Sequence, residues 1–249
     1  MKFKTFGDAK LPRIVLLHGG GLSWWAYQPI VDALQTEYHL VLPVIDGHGE
    51  DGETTFVSIE DSARKLIAYI DSELDGEVAL IGGQSLGAQI AVELLSARPQ
   101  MAKRALIESA LVYPVPGIAL LSRVSYGMAY GLIKQRWFSR TQAKSLFLRQ
   151  SMYEQYYQDS QRMSKQTLLN ISASNGNYAL KEELLQHSRA KALVVAGSRE
   201  LEIVRRSARR LHEVLPLSEL YLAPQMGHGE LSLAHPQTYV SLLRQLLKS

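Results

Sequence analysis

The chain has 249 residues, 27 Lys plus Arg against 24 Asp plus Glu for a formal charge of +3, and 46% hydrophobic residues. That balance is ordinary for a globular protein and excludes disordered, collagen-like and low-complexity classes. There is no cysteine, which removes disulfide frameworks, thiolate metal sites, iron–sulfur clusters and a cysteine nucleophile together.

The first half alternates short apolar runs with amphipathic helical patterns. Arg13-Ile14-Val15-Leu16-Leu17 is a β-branched run ending in His18-Gly19-Gly20-Gly21, so it predicts a buried strand feeding a loop. Tyr27, Ile30, Val31 and Leu34 then fall on one helical face. A second strand, His39 to Ile45, ends at Asp46-Gly47-His48-Gly49. Ser58 with Asp61 three residues on opens a helix whose face is Ile59, Ala63, Leu66, Ile70 and Leu74. A third strand, Glu77 to Ile81, runs into Gly82-Gly83-Gln84-Ser85-Leu86-Gly87 and a helix that Pro99 terminates. A fourth strand is predicted over Lys103 to Ile107.

This rhythm stops near Tyr113-Pro114-Val115-Pro116 and returns at Lys191–Gly197. The segment between has helical periodicity, nine aromatic residues from Tyr126 to Tyr178, and ten basic against four acidic residues. After it come a helix face of Val204, Ala208, Leu211 and Leu215, a last strand at Leu220-Tyr221-Leu222, and a closing helix from Pro236 through Leu247. Alternating strands and helices predict right-handed crossovers and a mostly parallel sheet flanked by helices. The expected organisation is an α/β core of about six strands, residues 1–111 and 190–249, interrupted by a helical insertion at 112–189.

Gly83-Gln84-Ser85-Leu86-Gly87 follows a strand and opens a helix, the context in which a G-x-S-x-G string has a mechanical meaning. The turn must hold the serine in a strained conformation, so small residues are needed two positions before and two after it. It lifts the Ser85 hydroxyl above the carboxyl edge of the sheet and over a helix N-terminus, where free N–H groups stabilise negative charge.

With these motifs in order the chain resembles the α/β-hydrolase superfamily over nearly its whole length. The resemblance rests on the His18 glycine loop, Asp46-Gly47-His48-Gly49, the Ser85 turn, Gly197-Ser198-Arg199-Glu200 and Gly227-His228-Gly229. It implies an α/β-hydrolase fold, with the insertion as a helical cap. The chain departs from many relatives at the acid, where it carries Glu200 in place of Asp.

A serine hydroxyl needs an adjacent base. His187 and His212 lie in helical segments, His39 begins a strand, and His235 precedes Pro236 at a helix start. His18 fits the loop motif. His48 and His228 both sit between glycines after strands, and the order serine, acid, histidine selects His228. The acid that fixes its tautomer is expected at Glu200, with Glu202 and Glu108 as alternatives. The oxyanion donors implied by the resemblance are the N–H groups of Leu86 and Gly20, with Gly21 the alternative in the same loop. Trp24, Trp25 and Tyr27 follow directly and, with Gly21, are candidates for the acyl pocket, the core being the alternative for the three aromatic rings.

The resemblance therefore implies a serine hydrolase cleaving a carboxylic ester through Ser85, His228 and Glu200 and an acyl-enzyme. Acyl transfer or carbon–carbon bond hydrolysis on the same residues is one alternative. A ligand-binding or signalling homologue with little turnover is another. No metal or organic cofactor is implied, and the expected partner is a small-molecule acyl substrate. Nucleic acid is not expected, because no basic cluster sits in a binding motif. No apolar run approaches the ~18–20 residues of a membrane helix, and the basic start Met1–Asp8 has no apolar stretch behind it. Hence neither a transmembrane segment nor a signal peptide is expected, and the expected location is cytoplasmic.

Overall fold

A computed structural model describes residues 1–117, 121 and 130–248. Six strands run parallel: β2 (Arg13–Leu17), β3 (His39–Val44), β4 (Leu80–Gln84), β5 (Arg104–Glu108), β6 (Lys191–Gly197) and β7 (Ser218–Ala223). A seventh, β1 (Lys2–Phe6), pairs antiparallel with β3, giving the order β1-β3-β2-β4-β5-β6-β7. This corrects the expected count of about six. Every residue of β1 is exposed or half-buried, so no apolar signal marks it in the sequence. The strand expected at Glu77 to Ile81 lies three residues later and extends through Gly82 and Gly83 to Gln84; Val78 contributes only an isolated bridge to Ala102.

Side chains of a strand alternate between faces, and here the alternation splits the core in two. Val15, Leu17, Val41, Ile81 and Ile107 face one side and pack with helices α2 (Ile59–Glu73), α3 (Leu86–Ala97) and Glu202–Val214. Ile14, Leu16, Leu40, Leu42, Leu80 and Leu106 face the other and pack with α1 (Gln28–Leu34) and the helix Pro236–Lys248. Helix α2 starts where the sequence places it, because the Ser58 hydroxyl accepts the Asp61 N–H at 3.1 Å.

Between β5 and β6 lie the helices Arg136–Ser145, Tyr153–Arg162, Lys165–Asn177 and Glu182–Leu185. A third apolar cluster joins the insertion to the loop after β2 and to the short helix Glu230–Ala234, with Ala143, Met152 and Tyr156 against Leu22, Trp25, Ala26 and Leu233. Part of their basic surface is compensated: Arg136 pairs with Glu154 at 2.8 Å, and Lys134 donates to the carbonyls of Ser160, Gln161 and Met163. Arg123 and Tyr126, counted in the charge and aromatic content of the insertion, lie outside the described residues. Among the described residues no helix is long and apolar enough to cross a membrane.

Candidate active site

Ser85 stands between β4 and α3 at φ 53°, ψ −114°, a backbone conformation that costs a non-glycine residue about 1–3 kcal/mol. The flanking glycines make the turn sterically feasible. A Cβ at Gly83 would collide with the Gly87 carbonyl, and one at Gly87 would collide with the carbonyl oxygens of Leu17 and His18. The turn is tied to the next strand by the Ser85 N–H, which donates to the Glu108 carbonyl at 2.9 Å.

The Ser85 hydroxyl lies 2.8 Å from His228 Nε2, and His228 Nδ1 lies 2.7 Å from Glu200 Oε2. The fold thus brings three residues from positions 85, 200 and 228 into one hydrogen-bonded line. Glu200 is buried, and its other oxygen, Oε1, accepts the Gly197 N–H and the Ser109 hydroxyl, each at 2.7 Å. With Nδ1 donating to a carboxylate, Nε2 is free to accept a proton from the serine.

The rival acids are engaged elsewhere. Glu202 is exposed and pairs with Arg205 and Arg209 on its own helix. Glu108 points to the opposite side of its strand end, where Oε1 accepts the Ser232 N–H at 3.2 Å and Oε2 has no partner among the described residues. Burial pushes its carboxyl up to about 7, opposed by the Ser232 donors and reinforced by the negative charge of Glu200.

His18 and His48 are buried as neutral rings. Ile45 N–H donates to His18 Nε2 at 3.1 Å, leaving Nδ1–H to donate to the Gly19 carbonyl at 2.9 Å. His48 Nδ1–H donates to the Asp46 carbonyl at 3.0 Å. Burial, with the neighbouring His48, lowers His18 to about 3, and burial lowers His48 to about 4. Both rings hold loops rather than exchange protons with Ser85.

Leu86 is the first residue of α3, so its N–H has no partner within the helix. Gly20 lies alongside: a Cβ there would sit 3.9 Å from Leu86 Cβ and 3.5 Å from the Ile171 methyl. Gly21 has φ +79° and open space where its Cβ would be. Trp24 and Trp25, considered for the acyl pocket, are both engaged in packing. Trp24 lies against Phe6 under Lys4. Trp25 is buried against the inserted helices and donates its indole N–H to Asp159 at 2.7 Å. Tyr27 is fully buried and donates to the Leu17 carbonyl at 3.1 Å.

Four residues around the site were missed by sequence reasoning. Gln84 fills the space where a Cβ on Gly19 or Gly229 would fall, so it sits between the two loops. Ser109 bridges to Glu200. From the insertion, Ile171 approaches Gly20, and the Phe147 ring lies against Gly227, 2.7 Å from where a Cβ would be. Only strand alternation after Glu108, which sends Ser109 to the other face, could have flagged one of them.

A family model described as "Alpha/beta hydrolase family" matches residues 14–242. An AB hydrolase superfamily protein of Gibberella zeae is 36% identical over 89 residues, 34% of this chain and 31% of that protein, so the match spans about a third of the relative's length. The uncharacterized hydrolase YugF of Bacillus subtilis is 24% identical over 86% of this chain and 82% of its own. Among solved structures, the enol-lactonase of Burkholderia xenovorans superposes with a TM-score of 0.81 at 14% identity, covering 100% of this chain and 96% of that one.

Proposed function

The chain belongs to the alpha/beta hydrolase family, and on that premise we propose that it is a serine hydrolase cleaving carboxylic esters through an acyl-enzyme. The observation that carries this reading is the unbroken line from the Ser85 hydroxyl through His228 to Glu200, with links of 2.8 and 2.7 Å. In this reading Ser85 Oγ attacks the ester carbonyl carbon and its proton passes to His228 Nε2. The oxyanion is held by the N–H groups of Leu86 and Gly20, each donor worth about 10²–10³ in rate. The carbon–oxygen bond to the alcohol breaks as His228 returns the proton to the leaving oxygen. Water then attacks the acyl carbon, gives a proton to His228, and releases the acid as Ser85 regains its hydrogen.

Glu200 holds the imidazole in the required tautomer and stabilises the imidazolium. The helices of 112–189 act as a cap over the core of 1–111 and 190–249, and Ile171 and Phe147 wall the reacting centre on its Gly20 and Gly227 sides. Enol-lactones, which the Burkholderia enzyme's name assigns to it, are esters, and this favours ester over amide cleavage here.

The test is intact-mass labelling with a small fluorophosphonate on wild type, Ser85→Ala and His228→Ala. This reagent needs an activated serine and an oxyanion site, not the natural substrate. One adduct on wild type, absent from both variants, is expected, and Glu200→Gln slows labelling by about 10³–10⁴. A folded wild type that takes no adduct overturns the proposal and favours a binding protein on the same fold.

A further inference from the structure

The loop carrying His228 leaves β7 and returns across the ends of β6 and β5 to meet Ser85 at the end of β4. It rests once on each strand end. At β6, a Cβ on Gly197 would collide with the carbonyl oxygens of Met226 and Gly227. At β5, the Ser109 hydroxyl accepts the Gly229 N–H at 3.1 Å. At β4, the Gln84 amide abuts Gly229. Two of the three supports also touch the acid, Gly197 with its backbone N–H and Ser109 with its side-chain hydroxyl, each donating to Glu200 Oε1 at 2.7 Å, and of these Ser109 alone hydrogen-bonds the acid and Gly229 through one side-chain atom.

We propose that Ser109 is a positioning residue that locks the acid and the histidine loop to one another, an inference that rests on the Ser85 hydrolase reading above. A hydroxyl has one proton and two acceptor sites. Here the proton goes to Glu200 and a lone pair to Gly229, so both partners share one fixed atom. Glu200 can then present Oε2 to His228 without rotating, and Gly229 holds His228 at reach of Ser85. The backbone at Ser109 has φ 60°, which costs a non-glycine residue roughly 1–2 kcal/mol. Glycine would take that conformation more cheaply, so serine here is used for its hydroxyl. Ser109 is almost fully buried, and its N–H is spent on the Val195 carbonyl at 2.8 Å.

The experiment compares fluorophosphonate labelling rates from pH 5 to 9 for wild type, Ser109→Ala and Ser109→Gly, with Ser85→Ala as the zero. Both Ser109 variants are expected to react roughly 10- to 100-fold more slowly, the scale of a small misplacement of the reacting groups. The midpoint of the acidic limb should also rise by roughly half a pH unit or more, since a carboxylate with one donor fewer holds the imidazolium more tightly. Intact thermal unfolding of the glycine variant shows that the loss is not unfolding. Rates within twofold of wild type in both variants, or loss in the alanine variant alone, overturn the inference while leaving the hydrolase reading in place. A wild type that reacts no faster than Ser85→Ala overturns both.

Discussion

Glu108 offers a direct measurement of what a buried carboxyl costs this fold. Its carboxyl is 1% exposed, and burial carries it from its usual 4.5 to about 7. Between those two values the native state holds a proton that the unfolded chain has released, so stability must fall as pH rises through this interval and then level off. The interval, at about 1.4 kcal/mol per pH unit, is worth on the order of 3 kcal/mol. Glu108→Gln removes the titration while keeping an acceptor for the Ser232 N–H, which now reaches Oε1 at 3.2 Å. The assay is urea unfolding of both proteins at several pH values from 4.5 to 8.5. The variant should gain stability over wild type steadily from pH 4.5 to 7, reach a plateau about 3 kcal/mol higher, and show no further gain. Subtracting the two curves cancels the titration of every group not coupled to Glu108. A difference that stays flat with pH would refute the reasoning, whatever its sign.

Three further outcomes follow from geometry and burial. Gly87→Ala drives a Cβ into two backbone carbonyl oxygens, and should cost about 3 kcal/mol, the upper end of the usual overpacking range, and abolish labelling. Gly21→Ala enters open space at φ +79° and should cost only ~1–2 kcal/mol, both read by urea unfolding. His18 and His48 are held near 3 and 4 by burial, below their unfolded value of 6.5, so native stability is lost as pH falls below about 6.5. Replacing His48 with Gln should remove about 3 kcal/mol of that loss between pH 6.5 and 4; an unchanged acid profile would count against the burial argument.

The parallel sheet and its helices were legible because their signals are local and periodic: β-branched runs ending in glycine, helix faces at every third or fourth residue, and Ser58 at a helix start. Ser85, Glu200 and His228 were legible by motif and order, and the structure gathers them. What escaped depended on neighbours distant in sequence. Strand β1 is set by its partner β3, not by an apolar pattern. The Trp24 and Trp25 rings follow the glycine loop in sequence, yet Phe6 and the inserted helices decide where they go. Attention to Glu108 as an acid hid Ser109, because a carboxylate stands out in a string of letters and a serine does not. Gln84 occupies the variable position of the motif, yet its side chain fills the space beside two glycines, Gly19 and Gly229.

Four parallel strands, β4 to β7, each supply at least one support or reacting group at the carboxyl end, and the last of them begins at residue 218. The site is therefore a cross-section of the sheet, not a property of any one segment. A nascent or partly unfolded chain lacking β7 has the serine but neither its base nor the loop that delivers it. Under the proposed mechanism such a chain forms no acyl-enzyme, so premature chemistry on a half-folded molecule is barred by topology. The same arrangement makes reaction at Ser85 an all-or-none report on refolding, appearing only when the far edge of the sheet has docked.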